Sequence, residues 1–360
     1  MKIGLVLDDT LDVPDGVQQY VLTLGRWLSN QGHDVHYLVG QTSRTDLSNI
    51  HSLSRNVAVR FNGNRMRMPL PTNRRKLRQF LKEQHFDVLH IQMPYSPFMA
   101  ARLIRVAPAS VKIIGTFHIV AHGKIVAFAN RLLGLWLRSS LNRFNTCLAV
   151  SPAAADFCRQ MYGRECRVLP NVVDIARFQV ASMPTAKPQI VFLGRLVPRK
   201  GCATLLKALS LLPNDVPEHD VIIGGSGPLE TELKQTVDQL KLSNVRFIGF
   251  VDEVTKPALL ANAAISVFPS QGGESFGIVL VEAMAAGHSV VLAGDNAGYR
   301  SVMTPYEQLL FDPFDAPALA QLIERQLRST ERIKLAHKLG EHAAQFDVRL
   351  IGPRIVACYR

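Results

Sequence analysis

The chain has 360 residues, 47% of them hydrophobic and 19% charged, a composition that excludes a disordered or fibrous protein and gives length enough for two folded domains. Its net charge of +12 is one-sided: residues 1–178 hold 23 Lys and Arg against 11 Asp and Glu, whereas residues 179–360 hold 18 of each, so an anionic partner is expected for the first half. No run reaches the roughly 18 apolar residues of a spanning helix, no signal peptide is expected ahead of the first apolar run, and Cys147, Cys158, Cys166, Cys202 and Cys358 lack paired spacing and read as reduced thiols.

In the first half, strands are predicted at 3–7, 35–39, 88–91, 112–116 and 146–150, with helices at 17–30, 73–83, 97–106, 124–142 and 152–161. Strands alternating with helices imply right-handed crossovers and a parallel sheet covered on both faces. Between the first strand and helix, DVPDGVQQYV places Gly16 where a backbone can approach a ligand at a helix start; a plain strand-to-helix turn would read the same way. NRRKLRQFLKE sets Arg74, Arg75, Lys76 and Arg78 on one short helix interleaved with Leu77, Phe80 and Leu81. That pattern describes a helix lying on an anionic bilayer and, equally, a solvated basic face. GTFHIVAHGK ends a strand at His118, followed by His122 and Lys124. The two histidines could share a metal only on a helix, and no H-E-x-x-H accompanies them, so His118 is expected as a polar contact or acid–base group and zinc is not expected.

The pattern restarts after residues 172–188, which carry Pro184 and Pro188 and read as a linker. Strands are predicted at 190–193, 221–223, 245–248, 264–268 and 289–292, helices at 202–212, 228–240, 256–263 and 276–286. Tail helices follow at 316–328, 331–345 and 349–359, the last interrupted or begun at Pro353. FLGRLVPRKG brings Arg195 and Lys200 to a strand's carboxyl end, where two cations suit a diphosphate. GGSGP, with Gly225, is either a phosphate- or nucleoside-side turn or a structural one, and it does not complete a dinucleotide fingerprint. GGESFGIVLVEAMAAG holds Glu274 and Glu282 eight residues apart across a helix start, with Ser275, Phe276, Gly277 and Ile278 between them. Exposed backbone N–H groups there suit an anion. Glu282, set among Val279, Leu280, Val281, Ala283 and Met284, must be paired or bound to be tolerated.

Together these motifs resemble the retaining glycosyltransferases of group 1, or family 4, over nearly the whole chain, and the first half looks most like the phosphatidyl-myo-inositol mannosyltransferases. DVPDGVQ, the 61–71 segment FNGNRMRMPLP, the basic helix after it and DVLHIQMP carry the narrower likeness. The resemblance implies an α/β chain of the GT-B class: two doubly wound, Rossmann-like domains facing across a cleft, with C-terminal helices. It divides the chain into an acceptor-binding domain at 1–171, the linker at 172–188 and a nucleotide-sugar domain at 189–345. A helix at 346–360 follows, whose return to the first domain is left open. By the same resemblance Glu274 and the backbone of Ser275 to Ile278 would hold the donor sugar and its phosphate, and Glu282 the ribose. Arg195 and Lys200 would neutralise the diphosphate, with Gly16 and Gly225 approaching it and His118 touching the reacting sugar. Asp12, Arg67, His118 and Lys124 become candidates for the acceptor, and Arg74, Arg75, Lys76 and Arg78 for the membrane.

The implied activity is retaining transfer of mannose from GDP-mannose to a phosphoinositide at the cytoplasmic membrane face. The donor is a substrate and no metal or other cofactor is expected; no D-x-D spacing occurs in the chain. A relative using a UDP-sugar on a soluble polyol, inositol phosphate or sugar phosphate, and a non-catalytic binder of anionic membranes, are the alternative readings. Nucleic acid is not expected, since the basic helix has no interleaved aromatic beyond Phe80. Two departures stand out: Asp15 and Val172 occupy positions where glycine is common in the family.

Overall fold

The computed structural model describes residues 1–61, 64–120, 124–183 and 185–360; Asn62, Gly63, the 121–123 segment with His122, Pro184, and the side chains of 58–61, 64–66, 68 and 124–128 lie outside the described residues. The chain divides into two compact units, Met1–Val172 with Val348–Arg360, and Val173–Asp347.

Unit 1 alternates strand and helix: β1 (Lys2–Leu7), α1 (Gly16–Asn30), β2 (Asp34–Val39), β3 (Ile50–Ser52), the hairpin β4 (Asn56–Phe61) and β5 (Asn64–Pro69), α2 (Arg74–Gln84), β6 (Val88–Ile91), α3 (Met99–Val106), β7 (Lys112–Phe117), α4 (Lys124–Leu141), β8 (Thr146–Ala149), α5 (Pro152–Tyr162) and β9 (Arg167–Val168). Seven strands form one parallel sheet in the order β3-β2-β1-β6-β7-β8-β9. Ile3, Leu5, Val6 and Leu7 are all fully buried, which explains a continuous apolar run where a half-exposed strand would alternate. The strand order leaves β1 in opposite directions, so right-handed crossovers put α1 on one face and α3 and α4 on the other. Along that second face α2, α3, α4 and α5 pack as successive neighbours. The antiparallel β4–β5 pair was not among the expected strands, although Arg65-Met66-Arg67-Met68 alternates and Asn62-Gly63 between the two runs is a hairpin signal in the sequence.

Unit 2 contains β10 (Gln189–Leu193), α6 (Cys202–Leu209), β11 (Asp220–Gly224), α7 (Glu230–Gln239), β12 (Val245–Gly249), α8 (Lys256–Ala261), β13 (Ile265–Phe268), α9 (Ile278–Ala285), β14 (Val290–Gly294), α10 (Ala297–Met303), β15 (Leu310–Phe311), α11 (Ala316–Arg328) and α12 (Arg332–Ala343). Its parallel sheet runs β12-β11-β10-β13-β14-β15. Helix α10 escaped the sequence reading, although Asn296 is an N-cap whose side chain accepts from the Tyr299 N–H. The crossing between units falls at Val172–Val173. Residues 173–188, expected as a linker, belong to unit 2, because Ile175 and Phe178 are buried there at 2% exposure.

The last helix, α13 (Val348–Tyr359), belongs to unit 1. It runs through Pro353 without starting or breaking there, since Ile351, Ile355 and Tyr359 on either side are buried in the unit 1 core. Gly352 allows α13 to lie on α1: a Cβ at that position would stand 2.6 Å from the Trp27 ring. The Tyr359 hydroxyl is 2.7 Å from His90 Nδ1, and His90 Nε2 is 2.7 Å from Thr116 Oγ1. In unit 2 the chain ends meet, with the Val173 N–H donating to the Phe346 carbonyl at 3.0 Å.

Candidate functional site

Strand order reverses between β10 and β13 in unit 2 and between β1 and β6 in unit 1. Such switch points open a crevice beyond the strands' carboxyl ends, where open α/β sheets bind ligands. Arg195 and Lys200 follow β10 and Glu274 follows β13 at the first of these points, and Asp12 and Gly16 follow β1 at the second.

In unit 2 the loop after β10 carries Arg195, Arg199 and Lys200, and the loop after β13 carries Ser270 and Glu274. The two loops are stitched together, the Arg199 carbonyl accepting from the Gln271 N–H at 2.8 Å and the Ser270 hydroxyl at 3.1 Å. Gly201 makes this possible: its φ is +70°, and a Cβ would sit 2.0 Å from the Pro269 carbonyl oxygen. One oxygen of Glu274, Oε1, then accepts from Arg199 Nη1, Lys200 Nζ and Ser270 Oγ, each at 2.8 Å. Burial pushes the Glu274 carboxyl up, but Lys200 and Arg199 outweigh it and hold the pKa at about 2. Burial pulls Lys200 below its ordinary value against the opposing pull of Glu274. Arg195 lies near enough to act on the charge of Lys200. Arg199 and Ser270 were missed in the sequence, although Arg199 stands beside Lys200 in the same motif.

Gly225 joins the same edge. Its φ is +139°, and a Cβ would lie 1.8 Å from the Gly194 carbonyl oxygen, so close packing on the loop after β10 demands a glycine there. Ser275, Phe276 and Gly277 lead into α9, with Gly277 at φ +115° as its N-cap and Ile278 as its first residue. Glu282, 5% exposed, pairs with Lys256 Nζ at 2.7 Å, and Lys256 also holds Glu253 at 2.7 Å. Arg177 reaches the Glu253 carboxylate at 3.0 Å, and the Phe178 ring lies 5.7 Å beneath Lys256. Burial works against the charge of Lys256, but carboxylates on two sides raise its pKa and keep it cationic. The apolar setting of Glu282 demanded a partner, yet nothing in the sequence singled out a lysine 26 residues away.

In unit 1, Asp8 and Asp9 follow β1, Gln92 follows β6 and His118 follows β7. Asp8 is fully engaged, accepting from the Ser96 hydroxyl and from the Ala100 N–H at 2.8 Å. Asp9 accepts from the Thr10 N–H at 2.7 Å and the Arg67 N–H at 3.3 Å. Asp12 accepts from the Thr42 hydroxyl and the Ser43 N–H, and its other oxygen is 3.7 Å from the half-exposed Arg67 guanidinium, so it positions Arg67 and the 42–43 segment. His118 Nε2 donates to Gln92 Oε1 at 3.0 Å, and its ring meets Tyr20 edge-on at 4.8 Å. Burial lowers the His118 pKa to about 3, so at neutral pH it is an uncharged hydrogen-bonding group. Gly16 opens α1 directly after Asp15. Lys124 opens α4, its side chain outside the described residues. Arg74, Arg75, Lys76 and Arg78 are all exposed on α2, which is anchored by Leu77 and Leu81.

These buried groups make opposing contributions to stability. Burial raises Asp8 to about 7 and Asp9 to about 6 from 3.8, so the native state holds protons that the unfolded chain releases near pH 4. Their contribution is full below pH 4 and is lost as pH rises towards 7. His90 and His118, both lowered to about 3 by burial, stay neutral while the unfolded chain takes up protons below 6.5, so their contribution is lost as pH falls through that range. The two slopes oppose each other between about pH 4 and 6.5. Asp8→Asn keeps both hydrogen-bond partners and removes one descending slope. Denaturant unfolding across this window should then show stability rising with pH, relative to the parent, by up to ~1.4 kcal/mol per unit. Parallel curves for the two proteins would contradict a buried, proton-holding Asp8.

Two family models match the chain: Glycosyltransferase Family 4 over residues 14–177 and Glycosyl transferases group 1 over residues 175–346. A phosphatidyl-myo-inositol mannosyltransferase from Mycolicibacterium smegmatis is 33% identical over all of this chain and 93% of its own. A GDP-mannose-dependent monoacylated alpha-(1-6)-phosphatidylinositol monomannoside mannosyltransferase from Corynebacterium glutamicum is 27% identical, with 71% of each chain covered. Among solved structures, a glycosyltransferase from Rickettsia africae superposes with a TM-score of 0.77 at 17% identity, covering 99% of this chain and 97% of its own, which establishes a shared fold of two Rossmann-like domains.

Proposed function

This chain belongs to the group 1, family 4 glycosyltransferases, and from that membership we propose that it transfers mannose from GDP-mannose to a phosphatidylinositol-type lipid at the inner membrane face. The observation that carries the donor half is the Glu274 oxygen gripped by Arg199, Lys200 and Ser270 at the unit 2 switch point. A diphosphate arriving there meets two cations already oriented by a carboxylate, with Arg195 beside them. Those cations stabilise the leaving group as the bond between the sugar's anomeric carbon and phosphate oxygen breaks. The acceptor hydroxyl attacks from the same face, forming the new carbon–oxygen bond, and its proton passes to the departing phosphate oxygen. With three cations to neutralise that phosphate, transfer is read as needing no metal. Glu282 binds the ribose, and Lys256, which holds it in the unliganded protein, orients it.

The lipid acceptor is supported by the names of the full-length relatives and by the charge confined to the first half. Among the described residues no helix is long and apolar enough to cross a membrane, so contact with lipid falls to surface elements, beginning with the exposed cations of α2. Radiolabelled GDP-mannose incubated with phosphatidylinositol vesicles should yield a mannosylated lipid that forms equally well with a metal chelator present. Incorporation only from UDP-sugars, or only into water-soluble inositol phosphate, would overturn the reading.

A further inference from the structure

Helix α4 leaves three large apolar side chains in water: Leu132 is 53%, Leu135 66% and Trp136 62% exposed. Spacing of three and four residues puts them on one stripe. The opposite face is fixed, with Leu137 and Leu141 in the core and Gly134 against α5, where a Cβ would stand 2.5 Å from the Met161 carbonyl oxygen. The helix therefore cannot turn to bury the stripe. Arg131 and Arg138, both exposed, line one edge of it. An apolar patch edged by cations and kept in water is costly unless something covers it.

We propose that this stripe is a membrane-insertion element: Leu132, Leu135 and Trp136 enter the boundary between headgroups and acyl chains of an anionic bilayer, while Arg131 and Arg138 remain at the phosphates. The inference rests on the lipid-acceptor reading and adds to it a second, apolar anchor distinct from α2. Charge identifies the occupant. Helices α2, α3 and α4 are neighbours on one face of the unit 1 sheet, and α2 adds Arg74, Arg75, Lys76 and Arg78 to that layer. Two copies pressed together there would set like charges against each other, whereas an anionic bilayer complements them. Three side chains also fall well short of the ~1,200 Å² that a stable protein interface buries. Tryptophan with leucine at a polar boundary is the composition that interfacial helices use. Helix α4 begins only six residues after His118, so the anchor would act close in the chain to the acceptor-side group.

The chain has two tryptophans, and Trp27→Phe leaves Trp136 as the sole emitter. On vesicles containing phosphatidylglycerol its emission should shift to the blue and be quenched by lipids brominated near the headgroup end of their acyl chains. A triple variant, Leu132→Ser, Leu135→Ser and Trp136→Ser, should lose at least about tenfold in vesicle affinity. Its Trp27 emission and its transfer to a water-soluble acceptor analogue should be unchanged. Co-sedimentation with no shift and no quenching would overturn the insertion element and leave the lipid reading standing. No co-sedimentation, together with equal use of a soluble acceptor, would overturn both. A blue shift that grows with protein concentration without vesicles would assign the stripe to a second copy and overturn the proposal.

Discussion

Glu274→Gln will slow sugar transfer by about 10²–10³-fold while GDP still binds at least as tightly as to the parent. The amide can accept from the same donors, but it removes the one negative charge that compensates Arg199 and Lys200. Taking one partner from a buried ionic cluster costs about 3–5 kcal/mol, because the remaining charges stay desolvated. The unliganded variant should therefore melt earlier than the parent, and GDP, whose diphosphate replaces the lost charge, should restore more stability to the variant than to the parent. The loss in transfer follows from misplacement: the cations can still hold a diphosphate but are no longer aimed by the carboxylate. Single-turnover kinetics and thermal shifts with GDP separate these effects. Retention of more than about a tenth of the parent rate would remove Glu274 from the reaction.

Ending the chain at Asp347 will abolish cooperative unfolding of unit 1 and leave the protein prone to aggregation. The deleted helix carries Val348, Ile351, Ile355 and Tyr359, all buried in the unit 1 core. At about 1.5–3 kcal/mol for each buried side chain, the loss sums to roughly 6–12 kcal/mol. That equals most of the ~5–15 kcal/mol by which a domain is stable. The deletion also leaves His90 Nδ1 without the Tyr359 hydroxyl. Tyr359→Phe isolates this last effect and should cost about 1–3 kcal/mol. A truncated protein that melts within a few degrees of the parent would show that unit 1 closes without α13.

The parallel sheets were legible because strands buried on both faces leave unbroken apolar runs between helical stretches, as in β1 and β14. Arg195 and Lys200 stood out as cations just past a strand, and Glu274 as a carboxylate at a glycine-rich helix start; the structure brings Lys200 and Glu274 into contact. Other pairings stood out less. Lys256 finds Glu282 through packing of α8 on α9, and no local pattern encodes that. Asp8 was not singled out, because its enclosing partners Ser96 and Ala100 lie 88 and 92 residues away. The 173–188 segment has no periodicity of its own, and burial of Ile175 and Phe178 gives it a place in unit 2. The β4–β5 pair differs: Val57 with Val59 and Arg65-Met66-Arg67-Met68 do alternate, and its basic composition obscured a pattern that was there.

The membership of α13 in unit 1 has a consequence for synthesis. Residues 173–347 form an uninterrupted unit that can complete its fold as it leaves the ribosome. Unit 1, made first, lacks the segment that covers Trp27 and His90 until all of unit 2 has been made. The first unit to begin is therefore not the first whose residues are complete. Its nascent first half must wait with an apolar groove uncovered, so this chain should depend on chaperones most while residues 173–347 are being synthesised.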